Sequence, residues 1–291
     1  SGVIVDCACE IYKATNDEKY LDIAHANAIN IIDCQEKNEI GSVKLKGFFY
    51  EDKEHKYMLT YEHRGHEQNP IKGLVNLCLT DPLNDDYNLW YNAIEDYKNY
   101  ILKTKDVAYP YSLLPNHIYN INKINIDRFT VPSSYGTIEW ANDNLIKQVK
   151  KGIKLDDEFF LRIFPVSIQR RGFHATLLSK VKAASSILKL DKDKALYQTI
   201  LNQIEWIFGK NPFSSSTMYG EGYNYHPLYV AFSNQLVGAL PVGIETYELE
   251  DAPYWPQATQ AVYKEIWGHT TSKLLYVLSD ILEFKNENNK K

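Results

Sequence analysis

Residues 208–269 read FGKNPFSSSTMYGEGYNYHPLYVAFSNQLVGALPVGIETYELEDAPYWPQATQAVYKEIWGH. Most of this stretch lacks helical periodicity, whereas the chain on both sides has it. Helix is expected from Leu196, Ile200, Ile204 and Ile207 over 192–208, and from Val262, Ile266, Leu274, Val277, Leu278 and Ile281 over 259–284. A long loop rich in Gly, Pro, Tyr and Trp between two amphipathic helices is where a helical scaffold carries a binding or reactive site.

Outward from that loop, the rest of the chain is also helical and comes in pairs. Val5, Cys9 and Tyr12 mark a helix over 3–15, and Asn16-Asp17 turns the chain into a second helix, to about residue 36, striped by Leu21, Ala24, Ala28 and Ile31-Ile32. Residues 41–62 alternate polarity among glycines and aromatics, as an extended loop or small β-ribbon does. Ile71, Leu74, Val75 and Cys78 then mark a third helix, Thr80-Asp81-Pro82 ends it, and Tyr87 to Ile101 is a fourth. From 104 to 169 Pro110, Pro115 and Pro132 break the pattern, leaving an irregular excursion with one helix at 138–149. Helix returns at 172–188, where Leu177, Leu178, Val181 and Ala184 share a face.

Short turns within pairs and long connections between them suit a toroid of helical hairpins. Its wide-end loops form the floor of a cleft. The expected class is all-α, an (α/α)6 toroid with long cleft-forming loops, incomplete in this chain, which supplies seven clear helices rather than twelve.

Composition narrows the partners. The chain has 291 residues, 44% hydrophobic, enough for a sizeable core, and a net charge of -5 spread along its length, which disfavours nucleic acid and anionic membranes. No apolar run approaches the roughly 18 residues of a membrane span, and no signal peptide is visible. Cys7, Cys9, Cys34 and Cys78 sit in apolar helical patterns without CxxC spacing, so they read as free thiols, with a Cys9–Cys34 disulfide the alternative. No metal site and no cofactor is expected.

Within the loop, Glu221 lies between Gly220 and Gly222, flanked by Tyr219 and Tyr223. Glycines let the backbone turn sharply, and aromatic faces carrying hydroxyls suit sugar rings. Tyr254 and Trp255 form a rigid aromatic segment before the last helix, where Glu265 stands one to two turns in, close to Trp267. A second polar cluster, His63, Arg64, His66 and Glu67, opens the third helix, where Arg64 and His66 are suited to hold a uronate or sulfate. Arg170, Arg171 and His174 sit similarly ahead of the helix at 172–188.

The segment Gln203-Ile204-Glu205-Trp206-Ile207-Phe208-Gly209-Lys210-Asn211-Pro212, then Leu236-Val237-Gly238-Ala239-Leu240, then Val262-Tyr263-Lys264-Glu265 resembles the C-terminal end of the family 9 glycoside hydrolases. The resemblance implies an (α/α)6 catalytic domain, of which 1–291 is the C-terminal portion. It also implies hydrolysis of O-glycosidic bonds by inversion, with Glu265 as general acid and a carbohydrate as partner. The N-terminal part of the same domain would be a separate segment, and the location periplasmic or secreted. Burial against Trp255 and Trp267 is expected to favour the protonated acid.

Two departures qualify the picture. Where the family carries a histidine-rich, arginine-bearing segment after its Asn-Pro, this chain has Phe213 to Glu221. The Asp-Ala-Gly-Asp motif of the family's general base does not occur either. An inverting pair needs two carboxyl groups roughly 6.5–9.5 Å apart. The base is expected on chain outside these residues, with Glu221, Asp251 or Glu67 as alternatives. Two further readings remain: a polysaccharide lyase using Tyr219 or Tyr223 with His66 or His174, and a non-catalytic glycan-binding fragment.

Overall fold

A computed structural model describes residues 1–60, 64–109, 111–124, 138–166, 173–228, 236–247, 249–255 and 265–288. Eight helices are seen among them: α1 (Gly2–Thr15), α2 (Lys19–Asp33), α3 (Gln68–Thr80), α4 (Tyr87–Val107), α5 (Ile138–Val149), α6 (Phe173–Ile187), α7 (Lys194–Ile207) and α8 (Gly268–Asn288). The expected hairpins are α1–α2, α3–α4 and α6–α7.

Local chemistry sets their ends. Asn16 closes α1 in the left-handed region (φ 56), which asparagine tolerates better than most residues, and its N–H returns to the Tyr12 carbonyl. Asp193 starts α7 by accepting from the N–H groups of Ala195 and Leu196 at 2.7 and 2.9 Å. Helix α2 stops short of Glu36 because the Glu36 N–H turns to the Phe48 carbonyl, where a short ribbon of isolated bridges joins Gln35 to Phe49 and Tyr50 to Met58.

Helices α1, α3, α6 and α8 pack in series, with α2 against α1, α4 against α3, and α7 against α6 and α4. The hairpins thus stand side by side in a double row. One apolar core runs through it from Val5 to Phe284. Helix α6 is buried along its whole length and not only on its apolar face. It therefore carries Lys180 and Lys182 inside the protein, and each is partnered: Lys180 pairs with Glu67, and Lys182 with Asp280 at 2.7 Å. Without those carboxylates, burial of either ammonium would cost several kcal/mol.

Two expectations need correction. The chain is not purely helical. Within the stretch read as irregular, β1 (His117–Asn120), β2 (Ile153–Lys154) and β3 (Phe159–Arg162) form an antiparallel sheet in the order β1-β3-β2. Every residue of β1 and β3 is buried, so no alternation betrays them. A second small sheet joins β4 (Glu245–Thr246) to β5 (Pro253–Tyr254).

The last helix also starts later than its apolar pattern suggests. Helix α8 begins at Gly268, and Glu265 lies three residues ahead of it, not inside it. There the backbone pairs sideways instead: Val242 N–H donates to the Glu265 carbonyl at 2.8 Å, and Ile266 bridges to Pro241. Residues 259–264, expected to open this helix, lie outside the described residues, as do His63, Arg170 and Arg171. All four cysteines are free thiols, so the Cys9–Cys34 disulfide is not formed.

Candidate functional site

The loop after α7 is a built structure. The Asn211 amide donates to the carbonyls of Trp206 and Ser215, both at 2.8 Å, and its oxygen accepts from Phe213 N–H, which locks the turn. Tyr219 N–H donates to the Ala239 carbonyl and Gly238 N–H to the Tyr219 carbonyl, so the 216–225 turn lies against residues 236–239. Gly220 is required there: its φ is +75, and a Cβ would stand 2.8 Å from a Val237 methyl.

This geometry turns Glu221 and Tyr223 outward to solvent, while Tyr219 is half-buried with its ring edge-on to Tyr225 at 5.1 Å. Tyr254 packs against Tyr247 at 5.9 Å. Trp255 stacks on His226 at 4.3 Å and 22°, and Phe213 meets both rings edge-on. The structure thus assembles a wall of Phe213, His226 and Trp255. His226 is a site residue that sequence reasoning missed, because nothing in its neighbourhood distinguishes it from a turn histidine.

Glu265 is half-buried, and the Trp267 indole N–H donates to its Oε2 at 2.9 Å. That bond fixes the carboxylate, so its contact with Trp267 is a polar one and not the apolar cover expected. Trp255 instead spends its face on His226. The Trp267 ring also contacts His269, centroids 5.1 Å apart.

The alternative bases are occupied elsewhere. Glu67 is buried, pairs with Lys180 and accepts from the Tyr97 hydroxyl at 3.0 Å. Asp251 accepts from the N–H groups of Ile163 and Phe164 at 2.8 and 2.9 Å and faces buried Arg162 at 3.5 Å. Burial raises its pKa, and Arg162 and the two N–H groups partly offset that. Both carboxylates hold the fold together. Only Glu221 of the three is exposed.

His174, one of the two histidines offered as a lyase base, is also excluded from solvent. It is fully buried: Nδ1 donates to the Pro241 carbonyl at 2.7 Å, and Nε2 faces the Thr217 hydroxyl at 2.9 Å. A carbonyl only accepts, so the proton sits on Nδ1. Burial draws the pKa from 6.5 to about 4.

His66 and Arg64 are exposed. Between them Gly65 has φ +56, and a Cβ would meet the Ala175 carbonyl oxygen at 2.3 Å, so the loop is pressed onto the first turn of α6. His66 opens onto a cavity of about 330 Å³ that is also lined by His269, Lys273, Lys182, Lys72 and Asp6. His269 and Lys273 become legible as site residues only once α8 is known to begin at Gly268. Among the described residues no group of His, Cys, Asp and Glu has the geometry to hold a metal ion.

Over 94% of its residues the chain superposes on a Zn-binding triple mutant of the family 9 endoglucanase J30, with a TM-score of 0.52 and 13% identity. In fold, the chain is similar to family 9 glycoside hydrolases. The cellulase Cel9M of C. cellulolyticum aligns with 95% of the chain at 16% identity and a TM-score of 0.49. The chain spans less than half of either family 9 protein, 41% of J30 and 48% of Cel9M. No family model and no curated protein matches the sequence.

Proposed function

We propose that the chain is one domain, residues 1–291, forming the C-terminal portion of an (α/α)6 glycoside hydrolase that cleaves O-glycosidic bonds of a poly- or oligosaccharide with inversion. Glu265 is the general acid, donating its proton to the departing glycosidic oxygen. The observation that carries this reading is the half-buried Glu265 carboxylate, held at 2.9 Å by the Trp267 indole beside an aromatic loop. A positioned acid must keep one geometry while a sugar is seated, and this hydrogen bond supplies it.

The general base belongs to chain outside these residues. In support, Glu67 and Asp251 are consumed in buried ion pairs, and the fold likeness to J30 spans 41% of that protein. Trp255, Tyr254, Tyr219, Tyr223 and Glu221 line the sugar-binding side, with His226 stacked beneath Trp255. The test compares the intact protein with its Glu265→Gln variant on a panel of oligosaccharides, following reducing ends and, by NMR, the anomer first released. Loss of about a hundredfold or more in kcat and release of the inverted anomer are expected. Unchanged turnover in the variant overturns the assignment.

A further inference from the structure

We infer that the cavity between His66, His269 and Lys273 is a subsite for an anionic group, the carboxylate or sulfate of an acidic glycan. The inference rests on the glycosidase reading for its ligand class, and it adds to it what kind of sugar the cleft accepts.

The cavity, about 330 Å³, is large enough for a single charged substituent and part of its ring. Its lining is strongly one-sided. Lys273, Lys182, Lys72, His66 and His269 face a single carboxylate, Asp6. Two of the lysines are already balanced, Lys72 by Asp6 and Lys182 by Asp280. Lys273 is not. It is 7% exposed, and among the described residues it makes no ion pair. Its ammonium is held by the carbonyl oxygens of Arg64, Gly65 and Ala175, with 2.6 Å to Gly65 and 3.5 Å to Ala175. Neutral oxygens satisfy its protons and leave its charge unbalanced, an arrangement that burial normally forbids.

Two observations agree with that positive potential. Desolvation, and then the charges of Lys273 and Arg64, lower the pKa of His66. The cavity also lies at the first turns of α1, α3 and α8, whose amide dipoles add to the field of the side chains. A short run of contacts joins it to the proposed acid: Glu265 is hydrogen-bonded to Trp267, Trp267 contacts His269, and His269 lines the cavity.

The intact protein, 13C-labelled at its histidines, is titrated with D-glucuronate, with inorganic sulfate and with glucose at constant ionic strength. The His66 and His269 imidazole signals are expected to move with glucuronate and not with glucose. Glucuronate affinity should fall at least tenfold in Lys273→Met and in His66→Asn. His66→Asn, an exposed position, serves if the lysine variant does not fold. Movement with sulfate but not glucuronate assigns the cavity to small inorganic anions and overturns the glycan reading. No movement with either anion, or undiminished binding in whichever variants fold, overturns the anion site itself. The readout is binding to the cavity and not turnover, so a failed subsite shows in this titration and a failed acid assignment in the Glu265→Gln turnover assay, and the two are told apart.

Discussion

The buried histidine of α6 gives a sharp quantitative expectation. His174 is inaccessible, its Nδ1 proton is committed to the Pro241 carbonyl, and its pKa lies at about 4 instead of 6.5. Unfolded chain therefore takes up a proton near pH 6.5 while folded chain refuses it until about pH 4. The stability due to this neutral imidazole is complete above pH 6.5, is lost as pH falls toward 4, and does not change further below. Each unit corresponds to about 1.4 kcal/mol at full slope, and with the unfolded imidazole half protonated at pH 6.5, acidification from pH 6.5 to 4.5 removes roughly 2 kcal/mol. Urea unfolding of wild type and His174→Gln at pH 7.5, 6.5, 5.5 and 4.5 isolates this contribution. Other groups, including Asp251 with its raised pKa and opposite sign, cancel in the difference. The stability gap between the two proteins should shrink by roughly 2.5 kcal/mol between pH 7.5 and 4.5. A gap independent of pH, or a His174 imidazole signal that titrates near 6.5, would refute the reasoning. It would also restore His174 as a candidate base for proton abstraction.

The other expectations concern packing and thiol chemistry. Gly243→Ala places a Cβ 2.8 Å from His174 Nδ1 at a φ of +117, and should cost about 2 kcal/mol or more in urea melts. Glu67→Gln strands buried Lys180 and should cost about 3–5 kcal/mol, whereas replacing both residues by apolar ones of similar size should cost less. With an aromatic disulfide reagent at pH 8, exposed Cys7 should react at once in the 291-residue chain. Cys9 and Cys78, buried and pushed up to about 11 and about 12, should react only as the chain unfolds, and three fast equivalents would contradict this.

Much of this protein is written locally. Periodic apolar positions, Asn16, Asp193 and the prolines determine where the hairpins lie, because a helix needs only its own stripe and caps to be recognised. The aromatic loop and its glycines are legible for the same reason, since glycine reaches a positive φ without strain, as Gly220 does.

What the sequence could not determine is which polar groups are spent on holding the fold. Glu67, Asp251 and His174 have the residue types of chemistry, and only packing reveals that Lys180, Arg162 and the Pro241 carbonyl already engage them. The sheet of β1, β2 and β3 stayed hidden because its central strand is buried on both faces. Glu265 lies ahead of α8 because the partner of its backbone is a strand-like segment more than twenty residues earlier. Burial and long-range pairing are properties of the folded chain, and they decide which carboxylate, lysine and histidine remain for a ligand.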